Sequence, residues 1–273
     1  MNYISYNKWA FPESFYPPVK NTEEYIDRIV CGADIASNST VLITGLARNI
    51  EENVASLLHR IRNIGTMFSK YDVFIFENDS SDDTKYLLQQ NLYNIKNYYL
   101  SLNDFNKKRH DNDTNFDRTV DMAFYRNHYL DFLRNNSTEY DYVIVLDTDI
   151  LGGYSYEGIL HSLSYNFDIT TSNGLIYQNE QKLYYDTWAY RRLDHPEPHI
   201  SGEINMLNYS RGEEPIKVLS AFGGMAIYKS EVLLGDEKYL SGDCDHVTLH
   251  KQLNRDVWIN PSQIVLYNRS YYV

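Results

Sequence analysis

The sequence predicts an α/β fold: a mostly parallel central sheet with helices on both faces, Rossmann-like in its three layers, forming a single domain. Three observations carry this. Tyr140 to Ile150 reads YDYVIVLDTDI. Its four consecutive apolar residues, Val143 to Leu146, are too few for a helix core and are rich in β-branched side chains, as in a strand buried on both faces. From Val41 onward apolar strands alternate with helical patterns, and parallel strands need crossovers that cover the sheet. The chain has 273 residues, 43% hydrophobic and 23% charged, which is enough to bury one large core.

Residues 1–33 carry Pro12, Pro17, Pro18 and several aromatics, then TEEYIDRIVC. They predict an extended arm laid over a main domain of residues 34–273. VLITGL is the first sheet strand, and Ala47-Arg48-Asn49 turns the corner. In IEENVASLLHRIRNIGTMF, Val54, Leu57, Leu58, Ile61 and Ile64 recur at helical spacing. Glu51 and Glu52 fall in its expected first turn, where the helix dipole favours acids. YDVFIFEN is a second buried strand. It runs into the polar loop Asn78–Thr84, which caps the helix TKYLLQQNL, and NYYLSL follows as a strand.

FDRTVDMAFYRNHYLDFLRNN is a helix, with Val120, Ala123, Phe124, Tyr129 or Leu130, and Leu133 expected on its inner side. It leads into the central strand. Beyond the Asp-Thr-Asp turn come the short helix SYEGILHSL, the strand FDITTSNG and the aromatic segment YYDTWAYRR. Arg191–Pro215 is a long polar loop of the kind that carries function. VLSAFGGMAIYKS is an apolar strand interrupted by Gly223-Gly224, which implies a close backbone approach. GDCDHVTLHKQLN opens a helix, and WINPSQIVLYN closes the sheet.

The net charge of −12, from 25 basic and 37 acidic residues, argues against a nucleic-acid partner. No apolar run reaches membrane-spanning length, and the N-terminus lacks the basic start and apolar core of a secretory signal. Cys31 and Cys244 are too few for a disulfide framework or a zinc set. These features predict a cytoplasmic protein without a membrane span, in the host cytoplasm if the source is viral. The 26 tyrosines suit contact with carbohydrate or protein, because the ring is apolar and the hydroxyl bonds.

Four groups of residues carry the chemistry. Asp147 and Asp149 stand at the carboxyl end of a central strand, where open α/β sheets place their ligand crevice. Two carboxylates one residue apart can share a hard divalent cation and leave positions open for phosphate oxygens, although Asp-Thr-Asp also suits a plain polar turn. In ENDSSDDT, Asp79 can accept from a ribose or base while Asp82 or Asp83 caps the next helix. Arg48 and Arg126 need anionic partners, whether Asp147, a diphosphate or a surface carboxylate. In Asp243-Cys244-Asp245-His246, an acid in the first helical turn is a candidate general base, and one of His246 and His250 can complete a cation's ligand set. Helix capping by the acids and core packing of the histidines are the alternatives. No P-loop or GxGxxG fingerprint is present.

ARN, ENDSSDDT, an Arg-Asn helix, LDTDI, YYDTWAYRR, SAFGGMAIY and CDHVTLH follow one another in an order that resembles the GT-A fold of nucleotide-sugar glycosyltransferases. More narrowly, the chain is similar to the capsule-associated α-1,3-mannosyltransferase family of fungi and its relatives in bacteria and large DNA viruses. The resemblance covers about residues 40–265. It implies a metal-dependent enzyme that moves a hexose from a UDP- or GDP-sugar to a hydroxyl of an oligosaccharide or glycan acceptor.

By the same resemblance, Asp147 and Asp149 hold Mn²⁺ or Mg²⁺ on the donor diphosphate. Arg48, Asn49 and Asp79 match the nucleoside edge, and Arg126 matches the Arg of the helix before the metal motif. Gly223 and Gly224 flank the donor sugar. Asp186 and Trp188 match the acceptor side, where a ring can stack on a sugar face. Asp245, often Glu in relatives, matches the catalytic base or an acceptor-orienting group, with Asp243 beside it. The rival expectation is a catalytically silent carbohydrate-binding or scaffold protein on the same fold. A sugar nucleotidyltransferase normally has a Gly-rich basic loop, of which TGLARN is a poor version.

Overall fold

The predicted central strand is the pivot of the sheet. In the computed structural model, which describes residues 3–4, 9–91, 95, 97–110, 115–179, 181–198, 207–268 and 271–272, β1 is Tyr3–Ile4, α1 Thr22–Ser37 and β2 Thr40–Ala47. There follow α2 (Val54–Gly65), β3 (Lys70–Asn78), α3 (Thr84–Asn91), β4 (Tyr98–Asn103), α4 (Phe116–Asn135) and β5 (Tyr142–Leu146). The second half holds β6 (Gly153–Tyr154), α5 (Tyr156–Leu163), β7 (Ile169–Gln178), β8 (Gln181–Tyr184), β9 (Ile216–Val218) and β10 (Met225–Lys229). It closes with α6 (Asp245–Leu253), β11 (Val257–Leu266) and β12 (Tyr271–Tyr272).

The main sheet runs β4-β3-β2-β5-β10-β7-β11-β6, with β8 added to β7 and β9 to β11. β4, β3, β2 and β5 are mutually parallel, as the strand–helix alternation requires. β10 then pairs antiparallel with both β5 and β7, while β7 and β11 are parallel. The expected α/β sheet is therefore parallel across its N-terminal half and mixed beyond β5. The reversal follows from Gly223 and Gly224, whose φ values of 64° and 87° bring the chain back into β10 beside the end of β5. A Cβ on Gly223 would lie 2.2 Å from the Ser172 carbonyl, so the close approach predicted from the Gly-Gly pair is to the sheet itself.

Strand alternation sorts the core into two layers. Val41, Ile43, Val73, Ile75, Ile144 and Leu146 face α2 and α5. Leu42, Phe74, Phe76, Val143 and Val145 face α4 and α6. Helices thus cover both faces, and the carboxyl ends of β2, β3 and β5 open at one edge.

Several local expectations change. Residues 22–37 form α1, capped by the Asn21 side chain, which accepts from the Glu24 N–H. A boundary between residues 33 and 34 would therefore cut a helix. Gly32 lies so close to α5 that a Cβ there would meet the Leu160 carbonyl at 1.8 Å. Glu51 and Glu52 precede α2; Glu51 instead accepts from the Asp83 N–H at 2.9 Å. On α4, Val120 and Phe124 are 39% and 44% exposed, while Asp121 and Arg126 are buried. Ala123, Tyr129, Leu130 and Leu133 are buried as expected, so the apolar assignment fails only at Val120 and Phe124, where the inner side borders a polar cleft. Among the described residues no helix is long and apolar enough to cross a membrane.

Candidate active site

The Asp147–Leu151 turn is held from below by groups that satisfy its backbone. The Asp147 N–H donates to the Gly224 carbonyl at 3.0 Å, and Tyr154 donates to the Asp147 carbonyl at 2.5 Å. Asn53 Nδ2 donates to the carbonyls of Thr148 (2.6 Å) and Ile150 (3.2 Å). Arg60, 1% exposed, donates to those of Ile150 and Leu151, both at 2.8 Å. Buried carbonyls need such partners, and these fix where the two carboxylates emerge.

They emerge into a cleft of about 550 Å³. It is walled by Arg48 after β2, Asn78 at the end of β3, Arg118, Tyr125 and Arg126 of α4, Tyr185 to Trp188 after β8, and Asp245 and His246 of α6. Arg126, 5% exposed, ties two walls together. Its Nε pairs with Asp245 Oδ2, and its Nη2 stands 3.6 Å from Asp147 Oδ1. Tyr185 donates to Asp147 Oδ2 at 3.2 Å. Arg118 lies over the Trp188 ring, 4.7 Å from its centroid.

The acids are crowded. Burial and the neighbouring Asp149 charge push the Asp147 carboxyl up to about 7, against the pull of Arg126 and Tyr185. Burial also raises Asp149, opposed by its own backbone N–H and by Arg109, Arg126 and Arg118. Burial and Asp147 push Asp186 up to about 8, although the Gly223 N–H donates to its Oδ2 at 3.2 Å.

This arrangement fits a hard divalent cation. Two carboxylates share one cleft, Arg126 at 3.6 Å is the nearest cation to Asp147 among the described residues, and burial, joined at Asp147 by the Asp149 charge, holds each toward its protonated form. His246 does not join them. It is 2% exposed, its ring stacks on Phe222 with centroids 3.8 Å apart, and burial, then Arg126, push its pKa well down. Among the described residues no three His, Cys, Asp or Glu side chains converge as a ligand set. His250 is also accounted for inside the protein, by Ser220 Oγ at 2.9 Å and Tyr228 OH at 3.0 Å.

A family model described as cryptococcal mannosyltransferase 1 matches residues 40–254, more than half of the chain. The chain belongs to the cryptococcal mannosyltransferase 1 family. This is the family kind expected from the motif order, and its name denotes a glycosyltransferase. Among curated proteins none matches the sequence. Among solved structures the chain is similar to S. aureus TarS 1-349 at 13% identity and TM-score 0.49, over 86% of this chain and 60% of that one. The mannosyltransferase PcManGT from Pyrobaculum calidifontis, in complex with GDP-Man and Mn²⁺, is similar at 13% identity and TM-score 0.49, over 90% and 66%. The chain spans about three fifths of the length of the TarS structure.

Within this mannosyltransferase-family domain, eight of the thirteen residues singled out from the sequence line the cleft: Arg48, Arg126, Asp147, Asp149, Asp186, Trp188, Asp245 and His246. Five do not. Asp79 Oδ1 accepts the Phe105 and Asn106 N–H groups at 2.7 and 2.8 Å, and Asn49 accepts from the Ser81 N–H at 2.8 Å. Both therefore shape loops at the β3 edge. Gly223 and Gly224 belong to the return into β10. Asp243 pairs with the buried Arg191 at 2.6 Å and with Lys251 at 3.5 Å, outside the cleft. Arg48 lines the cleft, yet its guanidinium donates to the carbonyls of Lys107 (2.5 Å) and Lys108 (3.4 Å).

Sequence reasoning missed Asn53, Arg60, Arg109, Arg118 and Tyr185. Arg60 had a legible signal, a charge on the apolar stripe of α2. Arg109 had another, the basic run Lys107-Lys108-Arg109-His110 in an acidic chain. Part of the predicted polar loop, residues 199–206, lies outside the described residues.

Proposed function

We propose that this protein is a metal-dependent hexosyltransferase that moves a sugar from a UDP- or GDP-sugar to a hydroxyl of a glycan acceptor. The observation that carries the reading is the Asp147–Asp149 pair at the carboxyl end of β5, opening into a cleft with Arg126–Asp245 on one wall and Asp186–Trp188 on another. Family membership supports glycosyl transfer. Residues 40–254 would act as one catalytic unit.

In the transfer, the bond from the sugar C1 to the diphosphate oxygen breaks and a bond from the acceptor oxygen to C1 forms. Asp147 and Asp149 would hold Mn²⁺ or Mg²⁺, which when bound supplies positive charge to the leaving diphosphate. Arg126 keeps Asp147 oriented and pairs with Asp245, fixing where that carboxylate stands in the cleft. Asp245 is our candidate for taking the acceptor hydroxyl's proton. Asp186, held toward its protonated form, suits hydrogen bonding to acceptor hydroxyls, and Trp188 offers a ring face to a sugar.

The test is a donor panel: UDP-, GDP- and dTDP-sugars with Mn²⁺, Mg²⁺ or EDTA, following released nucleoside diphosphate and thermal shift. Metal-dependent hydrolysis or stabilisation with one donor is the expected result. Metal-independent glycan binding with no response to any donor would refute the proposal in favour of a silent carbohydrate-binding protein.

A further inference from the structure

We propose that the segment Asp104–His110 is a cationic strap that delivers Arg109 to the leaving diphosphate. This rests on reading the cleft as a nucleoside diphosphate sugar site, and it assigns a residue that the motif order did not mark.

The strap is anchored at three places. Asp79 Oδ1 accepts the N–H groups of Phe105 and Asn106. The Arg48 guanidinium clasps the carbonyls of Lys107 and Lys108. Asp121 of α4 pairs with Lys107 and with His110 Nε2 at 2.7 Å. Phe105 adds an apolar foot, stacked 6.0 Å from the Tyr125 ring. Lys107 and His110 are thus drawn toward α4, while Arg109 lines the same cleft as Asp147 and Asp149.

The cleft arginines differ in their engagements. Arg126 is committed to Asp245 and Asp147, and Arg48 to two carbonyls. Among the described residues no carboxylate lies within ion-pair distance of Arg109. The strap thus holds an exposed arginine, without an ion-pair partner among the described residues, at the mouth of the acidic cleft, where an anionic ligand would meet it. A nucleoside diphosphate carries about three negative charges, of which one divalent cation offsets two. Charge grows on its terminal phosphate as the sugar leaves. A planar guanidinium can meet two phosphate oxygens at once, which a point charge cannot. The same logic gives Arg48 a positioning role, since its hydrogen bonds hold the backbone that aims Arg109.

The experiment is calorimetric binding of UDP and GDP, and of UMP and GMP, in Mn²⁺ buffer to wild type, Arg109→Ala, Arg109→Lys, Arg48→Met and the Arg48→Met/Arg109→Ala double variant. The wild type should bind one diphosphate. Arg109→Ala should weaken it about 10- to 100-fold, the range for losing a charged hydrogen bond, leave the monophosphate within about twofold, and keep its Tm. Arg109→Lys should fall between. Arg48→Met should weaken the diphosphate in wild type and little further once Arg109 is gone, a coupling that a purely structural role would not show. Equal diphosphate affinity in wild type and Arg109→Ala would overturn the strap proposal and leave the functional reading standing. Additive effects would overturn the clasp role of Arg48. A wild type that binds no nucleoside diphosphate would overturn both readings together.

Discussion

Cation binding at the Asp147–Asp149 pair should release a proton. Burial and Asp149 hold the Asp147 carboxyl at about 7, and a cation binds the deprotonated form. At pH 6 about nine-tenths of the apo protein carries that proton, and at pH 8 about one-tenth. Apparent Mn²⁺ affinity should therefore be about tenfold weaker at pH 6 than at pH 8, or about 1.4 kcal/mol. The folded-state pKa lies above the usual 3.8, so the folded form binds more protons and the metal-free protein loses stability as pH rises through that window. Asp186, at about 8, extends the loss upward.

In the unfolded state the histidines lose their protons around pH 6.5, which opposes this trend up to about pH 7.5; above that they are neutral in both states. The assay is Mn²⁺ titration calorimetry at pH 6, 7 and 8 in two buffers of different ionisation enthalpy, with melting curves alongside. About one proton should be released at pH 6 and almost none at pH 8. The Tm of the metal-free protein should fall from about pH 7.5 to 8.5, and Mn²⁺ should raise it most at the high end. Affinity that does not change between pH 6 and 8, or a metal-free Tm that climbs between about pH 7.5 and 8.5, would refute the crowded-carboxylate reasoning.

Three further outcomes follow from single groups. Asp245→Asn should lower glycosyl transfer about 100-fold or more by removing both the candidate base and Arg126's partner, whereas Asp243→Asn should leave turnover intact and lower stability by about 1–2 kcal/mol through Arg191; turnover rates that rank the other way would exchange the two roles. Gly223→Ala combines a φ of 64° with a Cβ at 2.2 Å from the Ser172 carbonyl, and should cost about 3 kcal/mol or more; an unchanged urea midpoint would show that the β10 return is not so tight. His161 is pushed down to about 4 by burial, so its stabilising contribution is present above about pH 6.5 and lost as pH falls toward 4. His161→Gln should flatten the acid side of the Tm–pH curve by close to one proton, and an unaltered slope would mean the ring is hydrated.

The order of strands and helices was legible because it depends on local patterns. The apolar run in β5, the helical stripe of α2 and the Gly223-Gly224 pair each report their own burial or backbone need without reference to the rest of the chain. The place of Asp147 and Asp149 was legible for the same reason, since two acids directly after a buried strand must emerge at the sheet edge. Tertiary structure alone decided which polar residues share the cleft. Arg126 sits in α4 and Asp245 in α6, and their pairing depends on how two helices pack over one face of the sheet, which no spacing encodes. Asp79 looked available for a ligand, but the backbone after β4 returns to it and fills its acceptor positions. Asp243 and Asp245 are equivalent in sequence terms. Asp243 lies before the Cys244 cap and turns toward Arg191, whereas Asp245 is the first residue of α6 and turns toward Arg126, so each carboxylate takes the cation it meets.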